Sequence, residues 1–71
     1  MQDNQGSLGD ALPHEMARVR QILSHYKETG HAGIFAAAMI EQDLRTADQA
    51  VMSGDVVAML RAMAALQGIK A

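Results

Sequence analysis

The sequence predicts an all-α fold, a small bundle of three helices, and three observations predict it. Apolar residues recur at spacings of three and four along most of the chain. Glycines interrupt that pattern where helices would end. The apolar complement is Leu, Ile, Val, Met and Ala, with Phe35 and Tyr26 as the aromatic side chains. Alanine and unbranched residues lose little freedom in a helix, whereas sheets draw on β-branched and aromatic residues.

The first helix is expected over about residues 13–29. Pro13 suits a first helical turn, because its missing N–H would be unpaired there anyway and its φ is already helical. Leu12, Met16, Val19, Leu23 and Tyr26 follow one another at helical spacing, and Ile22 widens the stripe. Gly30 is the expected left-handed residue after the last turn. Ahead of this helix, residues 1–11 are polar and glycine-bearing, with Leu8 the one large apolar side chain after Met1. They read as a disordered tail, which leaves 12–71 as a single helical domain.

The second helix is expected over about 33–53, after a connector made of His31, Ala32 and Gly33. A link that short folds the helices into antiparallel neighbours. The core stripe is Ala36, Ile40, Leu44, Ala47 and Val51, and Glu41 and Arg45 are placed to pair one turn apart. Ser53-Gly54-Asp55 then supplies a stop and a start: Gly54 for a left-handed end, Asp55 as the N-cap of the next helix. The third helix, over about 55–67, carries Val56, Met59, Leu60, Met63 and Leu66 on one face with Arg61 opposed, and Gly68 ends it. Ile69, Lys70 and Ala71 are expected as a frayed end from which Ile69 can fold back.

Residues Ala47 to Leu66, with small side chains before a Gly-Asp turn, resemble one helix-turn-helix unit of the tetratricopeptide type. A single unit buries too little to stand as a solenoid, so the resemblance implies an αα-hairpin. The stretch Gly33 to Gly68, above all Met39 to Asp48 with Ser53 to Arg61, is similar to short uncharacterised proteins encoded by bacteriophages and prophages. That resemblance covers about half of the chain and implies no functional residues.

Composition narrows the function classes. A chain of 71 residues is one domain and buries only about 60% of the surface it exposes when unfolded. Small folds add disulfides, a metal or a second subunit to compensate. The chain has no cysteine, which closes the disulfide route and removes thiolate zinc sites. A net charge of −2 gives no overall attraction to nucleic acid or to an anionic membrane. Met1 to Asp10 has neither the basic nor the apolar part of a secretory signal, and no apolar run is long enough to cross a bilayer. A soluble, cytoplasmic protein is expected.

Candidate chemistry is sparse. His14, His25 and His31 lack the i,i+4 or Glu-x-x-His spacing of a helical metal site. Glu41 and Asp43 are two apart and diverge on a helix, so they do not form an acid–base pair. Ser7, Ser24 and Ser53 stand in no nucleophile context, and the glycines form no phosphate loop. Six methionines suit a core poor in aromatics, or a groove for a partner helix, better than a copper site. The expectation is therefore a non-enzyme with no metal and no cofactor.

Two functional classes remain. The run Ile34 to Ile40 is apolar at every position, and a helix apolar all round is normally buried all round. Two neighbouring helices cover only two sides of it. Ile34, Phe35, Ala37, Ala38 and Met39 are thus the candidate surface of a protein–protein interaction module, completed by dimerisation or by an unidentified protein partner. The alternative is a small DNA-associated regulator using the basic face of helix 1, through Arg18, Arg20 and Lys27. The apolar starts of helices 2 and 3 do not suit base reading.

Overall fold

A computed structural model of the protein describes residues 7–70. Three helices, α1 (Leu8–Glu28), α2 (His31–Ser53) and α3 (Val56–Gln67), touch one another pairwise. This is the predicted three-helix fold, drawn out to 45 × 21 × 16 Å. Among the described residues no helix is long and apolar enough to cross a membrane.

The start of α1 differs from the expectation. It begins at Leu8, not at Pro13, because Ser7 caps it: the Ser7 hydroxyl accepts from the Asp10 N–H at 3.3 Å and donates to the Asp10 carboxylate at 3.0 Å. The Asp10 carboxylate also complements the positive end of the helix dipole. Leu8 packs half-buried against the core. Of the expected tail, residues 1–6 lie outside the described residues and 8–11 are helix. Pro13 consequently sits inside α1, where it donates no hydrogen bond to the Gly9 carbonyl.

The link between α1 and α2 is shorter than expected. Thr29 ends α1, its hydroxyl donating to the Tyr26 carbonyl at 2.7 Å. Gly30 has φ 71 and ψ −139, a positive φ outside the left-handed helical well, and is itself the N-cap of α2. That backbone, open to glycine alone, turns the chain in one residue. His31, Ala32 and Gly33 therefore form the first turn of α2, with the Gly33 N–H donating to the Gly30 carbonyl at 3.0 Å. The second turn is as predicted. Gly54 is left-handed at φ 71 and ψ 14, and the Asp55 carboxylate accepts from the Ala58 N–H at 3.2 Å.

The core is a column built from Leu12, Met16, Val19 and Ile22 of α1, Ile40, Leu44, Ala47 and Ala50 of α2, and Met59, Ala62 and Leu66 of α3. Leu12, Val19 and Leu66 are fully enclosed. Ile69 folds back to pack half-buried on the column, and the Tyr26 hydroxyl reaches the Lys70 carbonyl at 3.4 Å.

The face of α3 is the main correction to the predicted core. Met59 and Leu66 point inward as expected and Met63 is half-buried, but Val56 and Leu60 lie in solvent while Ala62 takes an inward position. All the residues of α3 except Arg61 and Gln67 are apolar, so periodicity cannot choose between its two faces. The small side chain of Ala62 admits close neighbours, and the helix rolls to use it.

Candidate interaction surface

The surface is set by how α2 is rotated against the end of α1. Gly33 is buried, and a Cβ there would collide with the Tyr26 carbonyl oxygen and the Thr29 hydroxyl. Only glycine permits that approach, and it fixes which residues of the first turns face inward. Ala37 and Ile40 follow Gly33 on the inner face, at 7% and 5% exposure.

The outer face is then necessarily Ile34, Phe35, Ala38 and Met39. Ile34 is 60% exposed, Phe35 81% and Met39 63%, and Ala38 is exposed beside them. At about 100° per residue the four span roughly 140° of the helix circumference. Ile34 borders α1, sharing a groove wall with Lys27; Met39 borders the end of α3, where Tyr26, Gly68 and Ile69 gather. Helix lengths explain why none of the described residues covers the arc. With 12 residues against 23, α3 is about 18 Å long and α2 about 35 Å. The chain after α3 reaches only the level of Ala36 to Asp43.

Of the residues predicted to form this surface, Ile34, Phe35, Ala38 and Met39 come together on it. Ala37 does not: it turns inward and floors the groove between the last turns of α1 and the first turns of α2. The groove, of about 520 Å³, is lined by Lys27, Gly30, His31, Ile34, Ala37, Ala38 and Glu41. Lys27 Nζ and the Glu41 carboxylate meet across it at 2.9 Å. The hydrogen bond and charge of Lys27 hold the Glu41 carboxyl below its ordinary range. Glu41 thus pairs across the helices and not with Arg45 along α2; the Arg45 guanidinium instead donates to Gln42 at 2.9 Å. A contact between helices of this kind leaves no periodic trace in a sequence.

A second apolar cluster was not predicted. Met52, Val56, Val57 and Leu60 are each more than half exposed around the α2–α3 turn, roughly 26 Å along α2 from Phe35 at about 1.5 Å per residue. The uniformly apolar composition of α3 is the signal for it, since a helix touching neighbours on one side leaves the other side bare.

The basic residues of α1 are largely committed within the fold. Arg18 forms a two-point contact with Glu15, at 3.1 and 2.7 Å, and donates from the same Nη2 to the Leu66 carbonyl at 2.9 Å. Lys27 holds Glu41, and Arg20 is exposed. His14, His25 and His31 are exposed as well, and among the described residues no group of three or more His, Asp or Glu side chains is placed to hold a metal ion.

Comparison with family models, curated proteins and solved structures found no match.

Proposed function

We propose that this chain is a small protein–protein interaction module that associates with a second copy of itself through the outer face of α2. The observation that carries the reading is the open arc of Ile34, Phe35, Ala38 and Met39 within the unbroken apolar run Ile34 to Ile40 of α2. Burying each large side chain of the arc is worth roughly 1.5–3 kcal/mol, a sizeable share of the stability of any domain this small.

A second copy fits better than an unrelated partner because the surface is complementary to itself. It carries projecting side chains, Ile34, Phe35 and Met39, beside small ones, Ala38 with Ala37 beneath it. Its rim carries both signs of charge in the Lys27–Glu41 pair, so two copies meet without net repulsion. The area is adequate for a small interface. A standard interface removes roughly 800 Å² from each partner, and Phe35 alone offers on the order of 150 Å². The other large side chains of the arc and the flanking His31 and Gln42 supply much of the remainder, which places the contact at the weaker end of stable dimers.

The test is Phe35→Asp. Phe35 is solvent-facing in the isolated chain, so the variant keeps its helical circular dichroism. A buried, unpaired carboxylate at the seam then weakens association at least tenfold, a cost of about 1.4 kcal/mol or more. An association constant equal to that of the unsubstituted protein, measured by sedimentation, contradicts the proposal.

A further inference from the structure

Phe35 and Ala38 lie within one turn of each other on α2, Phe35 a projection and Ala38 at the edge of the recess between α1 and α2. Phe35 is the one phenylalanine of the chain and is four-fifths exposed. The groove, about 520 Å³, has Ala37 at its floor, Ile34 and Ala38 at its edge on α2, and the Lys27–Glu41 pair spanning it from α1 to α2. We infer that in the dimer the Phe35 ring of each copy seats in the groove of the other, between Ile34 and Ala38. The inference rests on the self-association proposed above and says how the copies are oriented.

The orientation follows from where Phe35 and the groove-edge residue Ala38 sit on the arc. At about 100° per residue, Phe35 lies roughly 30° to the α3 side of the arc's centre and Ala38 roughly 30° to its α1 side. A two-fold axis perpendicular to α2 runs the two helices antiparallel and keeps each side facing the same side of the partner. Phe35 would then meet the Met39 flank and the groove would stay empty. An axis parallel to α2 exchanges the sides. It brings each Phe35 to the α1 side of the other helix, at the height between Ile34 and Ala38.

The recess suits an aromatic ring. The groove is open to solvent and, at about 520 Å³, has room for a ring; the methyl groups of Ala37 beneath and Ala38 at the edge present no donor or acceptor. The stem of Lys27 supplies apolar wall while its ammonium remains on Glu41, as long cationic side chains commonly do. Large set against small on a two-fold axis closes the assembly at two copies, since each projection and each recess is used once.

An isotope-filtered NOE experiment on an equimolar mixture of ¹³C-labelled and unlabelled protein, at a concentration where sedimentation shows dimer, tests the inference without substitution. The lone phenylalanine makes its ring signals unambiguous. Intermolecular contacts from the Phe35 ring to the Ala38 methyl and the Ile34 side chain are expected. Intermolecular ring contacts to Met39 or to the second Phe35, without Ala38, overturn the parallel seating and leave self-association standing. A second readout is Ala38→Trp, which fills the groove mouth at an exposed position. A tenfold or greater loss of association with unchanged circular dichroism is expected, and undiminished association overturns the seating. Protein that sediments as a monomer at every concentration overturns the seating and the self-association together.

Discussion

Arg18 Nη2 lies 2.9 Å from the Leu66 carbonyl oxygen while the same guanidinium grips both oxygens of Glu15. One side chain of α1 thereby satisfies a last-turn carbonyl of α3 and places positive charge at the negative end of that helix. The short hydrogen bond from Arg18 holds the Glu15 carboxyl below its ordinary value of 4.5.

Arg18→Ala is expected to lower the urea midpoint, and more so than Arg20→Ala, whose side chain is exposed. The difference should depend on pH with a definite sign. The folded pKa of Glu15 is depressed, so its contribution is present in full above the ordinary carboxylate range. It is lost as pH falls through the depressed folded value. Midpoints of the two variants measured at pH 7 and again well below pH 4.5 should converge at the acidic end, where only the contact to the Leu66 carbonyl still separates them. A gap that widens on acidification contradicts the pairing.

Gly33→Ala should destabilise despite the better helix propensity of alanine. Propensity alone favours the change by about 1 kcal/mol. The added methyl, however, meets the Tyr26 carbonyl and the Thr29 hydroxyl, and backbone cannot move aside as a flexible side chain would. The net expectation is a loss of about 1–3 kcal/mol, read from chemical denaturation. A variant more stable than the parent would show that α2 does not approach α1 this closely.

Most of the architecture was legible before the structure, for identifiable reasons. Ser53, Gly54 and Asp55 each have one strong local preference and the three agree, so that turn was readable residue by residue. The open face of α2 was readable because Ile34 to Ile40 exceeds what two neighbours can cover. The start of α1 was also written in the sequence, as Ser7 with an acid three residues on, a capping signature that Pro13 overshadowed. Other features were not readable. Periodicity does not orient α3, since both of its faces are apolar, and nothing local pairs Lys27 with Glu41 or turns Ala37 inward. Those depend on how closely Gly33 lets two helices approach.

Gly30 and Gly54, the two glycines of positive φ among the described residues, should respond differently to asparagine. Gly54 sits in the left-handed helical well with open space around it. Asparagine tolerates that well, so Gly54→Asn should cost under about 1 kcal/mol. Gly30 has ψ −139, where asparagine gains nothing, and Gly30→Asn should cost about 1–3 kcal/mol. Thermal melts of the pair check the order, and equal losses would mean that the two turns are alike.

Self-association through the α2 face is tested most directly by the mass of the unsubstituted protein as a function of concentration, measured by sedimentation equilibrium from low micromolar to several hundred micromolar. The predicted result is a reversible rise from the 7.6 kDa of one chain to twice that mass, with no larger species. A mass that stays at one chain across the whole range would contradict the account.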